Sequence, residues 1–251
     1  MGTARTNGGV QSVRRAAAVL STLAESQSPL SAAEVARRTN LNRTIVYRLL
    51  RTLESDGLVR GDGGRFSLGE MHLRFGQSYL EGLGFYRSTL AYAVLLSTRF
   101  VGDRPWVVSL GVPVVDEIML VDRHWSNQAP LDIILDIGVR LPIAGSALGR
   151  SILALRPEAD VRRLIGDDHY EQIADRLAEV RGSRVSFADG EVQAGVCAVA
   201  SPICDASGEP VAAIAVSGTD LRPHLDPCSE VAQRVRRAAE DLGREVRSRV
   251  S

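Results

Sequence analysis

Leu30-Ser31-Ala32-Ala33-Glu34-Val35-Ala36 and Leu41-Asn42-Arg43-Thr44-Ile45-Val46-Tyr47-Arg48-Leu49-Leu50-Arg51-Thr52-Leu53 are the stretches on which the fold turns. In the first, the Ser31 hydroxyl is placed to accept from the Glu34 N–H while the Glu34 carboxylate reaches back to the Ser31 N–H. This is a capping box, and Leu30 and Val35 occupy the two positions of a hydrophobic staple around it. The device recurs after a break at Thr39-Asn40, with Asn42 as N-cap between Leu41 and Val46, and the helix so opened runs to a stop at Gly57. On that second helix Val46, Leu49, Leu50 and Leu53 form an apolar stripe, and Thr44, Tyr47, Arg48 and Arg51 repeat the spacing on the far side. No acid interrupts this cationic face before Glu54, whereas a merely solvated helix surface mixes Glu with Arg.

Upstream, Val13, Ala16, Ala17, Leu20 and Leu23 fall at helical spacing within Ser12–Ala24. Downstream, Leu58-Val59-Arg60 and Arg65-Phe66-Ser67-Leu68 are strand-like runs joined by Gly61-Asp62-Gly63-Gly64, the chemistry of a tight hairpin. Three helices followed by a basic hairpin make a winged helix-turn-helix, whose third helix enters the major groove of double-stranded DNA while the wing touches the backbone. On that reading Arg43 and Arg48 are suited to bidentate contacts with guanine. Asn42, Thr44 and Tyr47 share the face and reach base edges or phosphate, and Arg37, Arg38, Arg51, Arg60 and Arg65 suit phosphate.

Charge distribution agrees. The 251-residue chain has zero formal net charge, but residues 1–68 hold ten Arg against five Asp or Glu, and the remainder twenty against twenty-five. A basic module is thus joined to an acidic one. An apolar content of 45% suffices for a core in each and excludes general disorder. No apolar run approaches the roughly 18 residues of a membrane span, and the polar Met1–Gly9 start lacks the core of an export signal, so a cytoplasmic protein with no membrane partner is expected. Cys197, Cys204 and Cys228 show no CxxC spacing, which implies neither a disulfide framework nor a zinc site.

The run Val10-Gln11-Ser12-Val13-Arg14-Arg15-Ala16, the capped segments above, and Gly57-Leu58-Val59-Arg60 together resemble the IclR family of regulators. The resemblance continues through Arg65-Phe66-Ser67-Leu68-Gly69 and Leu141-Pro142-Ile143-Ala144-Gly145-Ser146-Ala147-Leu148-Gly149-Arg150. It ends on Gly195-Val196-Cys197-Ala198-Val199-Ala200-Ser201-Pro202 with Ala212-Ala213-Ile214-Ala215-Val216-Ser217-Gly218. It implies a linker helix after the wing, a GAF-like effector domain, and a dimer that commonly pairs into a tetramer. A helix over Gly69–Gly84 is also visible directly, with Met71, Leu73, Phe75, Tyr79, Leu80 and Leu83 spread round more than one face. A partner helix in a homodimer or dimer of dimers explains that surface, because a palindromic operator needs two reading heads, and packing on its own effector domain is the alternative.

Residues 85–251 read as α+β. Helices are expected at Tyr86–Phe100, Gly149–Leu155, Glu158–Ile165 and Tyr170–Arg181, strands at Trp106–Leu110, Glu117–Asp122, Ile133–Ile137, Val196–Ile203 and Pro210–Ser217, and a last helix opening at Asp226-Pro227. An antiparallel sheet flanked by helices fits this order better than a doubly wound one. His124, His169 and His224 stand far apart, no HExxH, GxSxG or phosphate loop is present, and Cys197 lies on an apolar strand. No catalytic residue, metal site or cofactor is therefore expected, and the chain reads as no enzyme. The turn Gly145-Ser146-Ala147-Leu148-Gly149 offers a capping serine and free N–H groups suited to a carboxylate, although an ordinary capped helix has the same sequence.

The resemblance implies an effector pocket built from this turn and the last two strands, hence Ser146, Ala147, Leu148, Val196, Ala198, Ala215 and Ser217. Ala198 stands where the family often has Cys, Ala215 where Ser is frequent, and Ala188 where an acid sometimes occurs. The expected organisation is a winged helix-turn-helix over 1–68, a linker helix over 69–84 and a GAF-like effector domain over 85–251. The expected function is a ligand-responsive DNA-binding regulator, a repressor of catabolic genes, whose small-molecule effector is an organic acid with a hydrophobic body. A DNA-binding protein whose C-terminal domain only oligomerises, and an enzyme with a DNA-binding head, are the competing readings.

Overall fold

Ser31 and Glu34 form the reciprocal pair that their spacing predicts: Ser31 Oγ accepts from the Glu34 N–H at 3.3 Å, and Glu34 Oε2 accepts from the Ser31 N–H at 2.7 Å. The computed structural model describes residues 10–82 and 104–248, which belong to two units, Met1–Gly82 and Leu83–Ser251. The expected helix at Tyr86–Phe100 lies outside the described residues.

The first unit runs α1 (Gln11–Ala24), β1 (Leu30–Ser31), α2 (Ala32–Thr39), α3 (Arg43–Ser55), β2 (Val59–Asp62), β3 (Arg65–Leu68) and α4 (Met71–Gly82). Asn40 closes α2 in the left-handed region at φ +53, a conformation asparagine tolerates, and Asn42 Oδ1 then opens α3 by accepting from the Thr44 N–H at 2.8 Å. Val46, Leu50 and Leu53 turn inward onto Val19, Leu23, Val35 and Phe66. The wing differs from expectation in two respects. Its strands extend to the Asp62↔Arg65 pair, leaving only Gly63-Gly64 as the turn, with φ +54 and +80 as a mirror-image hairpin turn requires. Leu30-Ser31, which precedes the α2 cap, also pairs as a short third strand with Phe66 and Arg65.

The second unit carries β4 (Trp106–Val114), β5 (Glu117–Trp125), β6 (Arg140–Pro142), α5 (Ala147–Leu153), α6 (Glu158–Ile165), α7 (Asp167–Ser183), β7 (Ser186–Asp189), β8 (Cys197–Cys204), β9 (Pro210–Gly218) and α8 (Glu230–Ser248). The strands form one antiparallel sheet in the order β6-β5-β4-β9-β8-β7. Helix α5 lies on a face of Ala188, Ala200, Ala213 and Ala215, whose short side chains admit it closely, while α8 covers the face carrying Ser201.

Two expectations fail here. Ile133–Ile137 is no strand: Leu131–Ile133 is a 3-10 turn and the chain then arches over the sheet. Pairing with β5 stops at Leu120, which bonds to both Gly138 and Val139, and the turn from Asp136 to Val139 through Gly138 at φ +88 directs the preceding residues off the edge. Nor does the last helix open at Asp226-Pro227. Asp226 Oδ1 accepts from the Cys228 N–H at 2.7 Å and closes a turn, and the helix is capped three residues later by Ser229 Oγ accepting from the Ala232 N–H.

Candidate functional sites in the two units

All ten residues singled out for DNA are exposed on the first unit. Arg43, Thr44, Tyr47 and Arg51 line a groove of about 700 Å³ between α3 and the wing, together with Glu54 and Gly61 to Gly64. Asn42 and Arg48 share the outward side of α3, and Arg37 and Arg38 lie in the last turn of α2. Among the described residues Arg43, Arg48 and Arg60 make no ion pair, so their guanidinium groups are available to an external anion.

Two arginines are already engaged. Arg51 Nη1 lies 2.6 Å from Glu54 Oε2, and Arg65 Nη1 donates to Pro29 O at 2.9 Å and stands 3.6 Å from Glu34 Oε2. Arg65 therefore ties the wing to the start of α2, a role that its charge alone did not disclose. The Ser31 hydroxyl and N–H, with Arg65 and Arg37 beyond them, hold the Glu34 carboxyl below the usual glutamate range. Glu54, at the end of the cationic face, brings its carboxylate against Gly61 of the wing.

In the second unit, Ser146, Ala147, Leu148, Val196, Ala198, Ala215 and Ser217 line a single cavity of about 60 Å³. Ser146 is buried and accepts from the Gly149 N–H at 3.1 Å, capping α5, which leaves the Ala147 and Leu148 N–H groups at the helix start. Helix α5 reaches this position because Gly149 has no side chain: a Cβ there would stand 1.9 Å from Ile143 O. Ser217 Oγ faces Val107 O at 3.5 Å, and Ser109 supplies a third hydroxyl from β4. Among the described residues no charged side chain lines the cavity. Ala188, where an acid sometimes occurs in the resembling family, adds a further apolar wall, and Leu120, Leu141, Ile133 and Leu135 complete it.

Val192 and Gln193, from the loop between β7 and β8, also line the cavity, and the Gln193 amide donates to Asp132 O, beside Ile133, at 3.1 Å. Beside it Glu191 bridges Arg150 at 2.8 Å and Arg176 at 2.7 Å. Burial opposes ionisation of Glu191, but the bonds from Arg150 and Arg176 outweigh it and hold the carboxyl below the ordinary range. A signal existed in the sequence, since Gly190 and Gly195 bracket this loop, but its partners are distant residues.

Cys197 faces away from the cavity, and its thiol donates to Asp189 Oδ1 at 3.3 Å. Burial, then the Asp189 carboxylate, push its pKa up, the opposite of what a nucleophile needs. His124 contacts Asp122, and the His224 ring packs edge-on to Trp106. Among the described residues no group of three His, Cys, Asp or Glu is arranged to hold a metal, and no helix is long and apolar enough to cross a membrane.

Comparison with known proteins bears on both units. Residues 12–63 match the IclR helix-turn-helix domain and residues 105–244 the bacterial transcriptional regulator IclR C-terminal domain. The acetate operon repressor of Salmonella typhimurium is 29% identical over 255 residues, covering 96% of this chain and 91% of the repressor. Among solved structures, an IclR transcriptional regulator from Alicyclobacillus acidocaldarius superposes with a TM-score of 0.78 at 23% identity, over 95% of this chain and 100% of that one. An IclR homologue from Microbacterium hydrocarbonoxydans, complexed with 4-hydroxybenzoate, does so with 0.75 at 21% identity, over 95% and 100%. The curated relatives are named regulators and repressors, not enzymes. A winged helix with an uncommitted arginine face, a curled antiparallel sheet unit and family matches over both place the chain in the IclR family of DNA-binding bacterial transcriptional regulators.

Proposed function

We propose that the protein is a ligand-responsive repressor of catabolic genes, which binds a palindromic operator as a homodimer and changes its operator affinity when a small organic acid enters the cavity of the second unit. The observation that carries the ligand reading is the convergence of α5, β8 and β9 on one cavity whose polar lining residues are Ser109, Ser146, Ser217 and Gln193 and whose other lining residues are apolar. Such a site suits a molecule with one hydrogen-bonding end and a hydrophobic body. At about 60 Å³ the cavity is smaller than the roughly 150 Å³ space that takes up benzene, so entry of a ring or an aliphatic chain requires it to widen. Ala198 and Ala215 make the floor apolar, which favours an aromatic or longer aliphatic carboxylate over a two- or three-carbon oxo acid. The 4-hydroxybenzoate bound by a structural relative supports this class. For the dimer, α4 offers Leu73, Phe75 and Tyr79, 78%, 53% and 46% exposed, more apolar surface than a solitary solvated helix carries.

Calorimetric titration tests the ligand class. Benzoate, 4-hydroxybenzoate and octanoate are expected to bind more tightly than glyoxylate or pyruvate, and Ala198→Trp is expected to abolish binding by filling the cavity. Tighter binding of the oxo acids would overturn the polarity argument, and unchanged binding by Ala198→Trp would overturn the location. Binding that leaves operator affinity unchanged in a gel-shift titration would leave the domain as an oligomerising module.

A further inference from the structure

The loop from Gly190 to Gly195 joins β7 to β8 and begins and ends on residues in the left-handed region, at φ +77 and +78. Its middle residues Val192 and Gln193 line the cavity, and Gln193 is bonded to Asp132 O beside Ile133, another lining residue. Its flank carries Glu191, whose carboxylate bridges Arg150 and Arg176. Arg150 is not a surface partner. Its side chain is 3% exposed, Nη1 donates to Ala144 O at 3.0 Å, and Nη2 donates to Phe187 O at 2.6 Å. One guanidinium thus joins the turn leading into Ser146, the edge strand β7 and the covering loop.

We propose that this loop is a lid over the cavity, and that Glu191 is the latch that holds it shut against Arg150 and Arg176. The proposal rests on reading the cavity as the effector site. Two features make the latch reversible. Arg150 keeps two carbonyl acceptors when the carboxylate leaves, so its N–H groups are not all orphaned. A recess of about 290 Å³ lined by Arg150, Arg176 and Glu191 lies behind it, through which water can solvate the released charges. That recess is not itself an anion site, because Glu191 occupies both arginines and Glu179 and Asp189 add further negative charge to its walls. A lid so held couples occupancy of the cavity to the Ala144–Ser146 turn through a single side chain.

Hydrogen exchange read by mass spectrometry on the full-length, ligand-free chain tests the latch. Glu191→Gln keeps the shape and removes the charge, and is expected to speed exchange of the 190–196 amides by about tenfold with β8 and β9 unmoved. Arg176→Gln, which removes the more exposed half of the bridge, is expected to give a smaller rise in the same segment. Unchanged protection in 190–196, or a rise spread over the whole sheet, would overturn the latch. Release of 4-hydroxybenzoate, followed by stopped flow, is expected to quicken in Glu191→Gln by a similar factor. A loosened loop with an unaltered release rate would overturn the lid, whereas no binding of this acid by either protein would overturn the effector reading on which the lid rests and leave only the Glu191 tether of the loop.

Discussion

At the scale of single residues, the face of α3 and the wing proposed to meet DNA divides into arginines that are uncommitted and arginines already bound within the fold. The Arg48 guanidinium, exposed on α3, makes no ion pair among the described residues, so on the proposed reading Arg48→Ala is expected to cost roughly 1 to 3 kcal/mol on an in vitro selected operator and little on random DNA. Arg60 projects from the wing, where the neighbouring groove-facing position is Gly61, and suits phosphate. Arg60→Ala is expected to weaken both DNAs alike and to lower the salt slope by about one. Fluorescence anisotropy over a salt series separates the two, and the reverse pattern would show that the wing, not α3, reads bases. Arg65 looked equivalent to Arg60 in sequence, yet its bond to Pro29 O makes Arg65→Ala a change in wing anchoring as well as in charge.

Among the elements, α5 is the one whose placement decides the cavity. Gly149 touches the Ile143 carbonyl with no room for a methyl group, and backbone cannot rotate away as a side chain can. Gly149→Ala is therefore expected to destabilise the second unit by about 3 kcal/mol in urea titration and to weaken acid binding, since α5 must lift from the alanine face. Full stability in that variant would mean that α5 is free to shift. By contrast, α2 is held by local chemistry. Ser31→Ala removes one cap from the Glu34 N–H and is expected to cost only about 1 kcal/mol.

For the whole molecule, the two units have separate cores, one around Val35, Val46 and Leu50 and one around Leu148, Ile152 and Ala200. A fragment spanning 85–251 is expected to fold, bind the acid and ignore DNA. The complementary 1–82 fragment is expected to keep sequence preference with much weaker affinity, because it presents one reading head where a palindrome offers two sites. Circular dichroism and gel shift on both fragments check this. Operator binding by the 85–251 fragment would break the division of labour.

How much of this was legible before folding depends on how far apart the determinants lie. The caps at Ser31 and Asn42 and the two faces of α3 are set by residues within four positions of each other, so sequence alone determined them, whereas the wing's glycines announced a turn whose two-residue length came from the Gly61↔Phe66 and Asp62↔Arg65 pairs. The resemblance placed the cavity residues in one list, but only the tertiary structure brought their side chains around one space. The strands β6 and β7 are too short to show a period, and Ile133–Ile137, apolar enough for a strand, is turned off the β5 edge by the turn from Asp136 to Val139. The lid lies furthest from local reading. Arg150 meets Glu191 across 41 residues and Gln193 meets Asp132 across 61, and a contact between such distant positions exists only once the sheet has fixed where each chain segment passes.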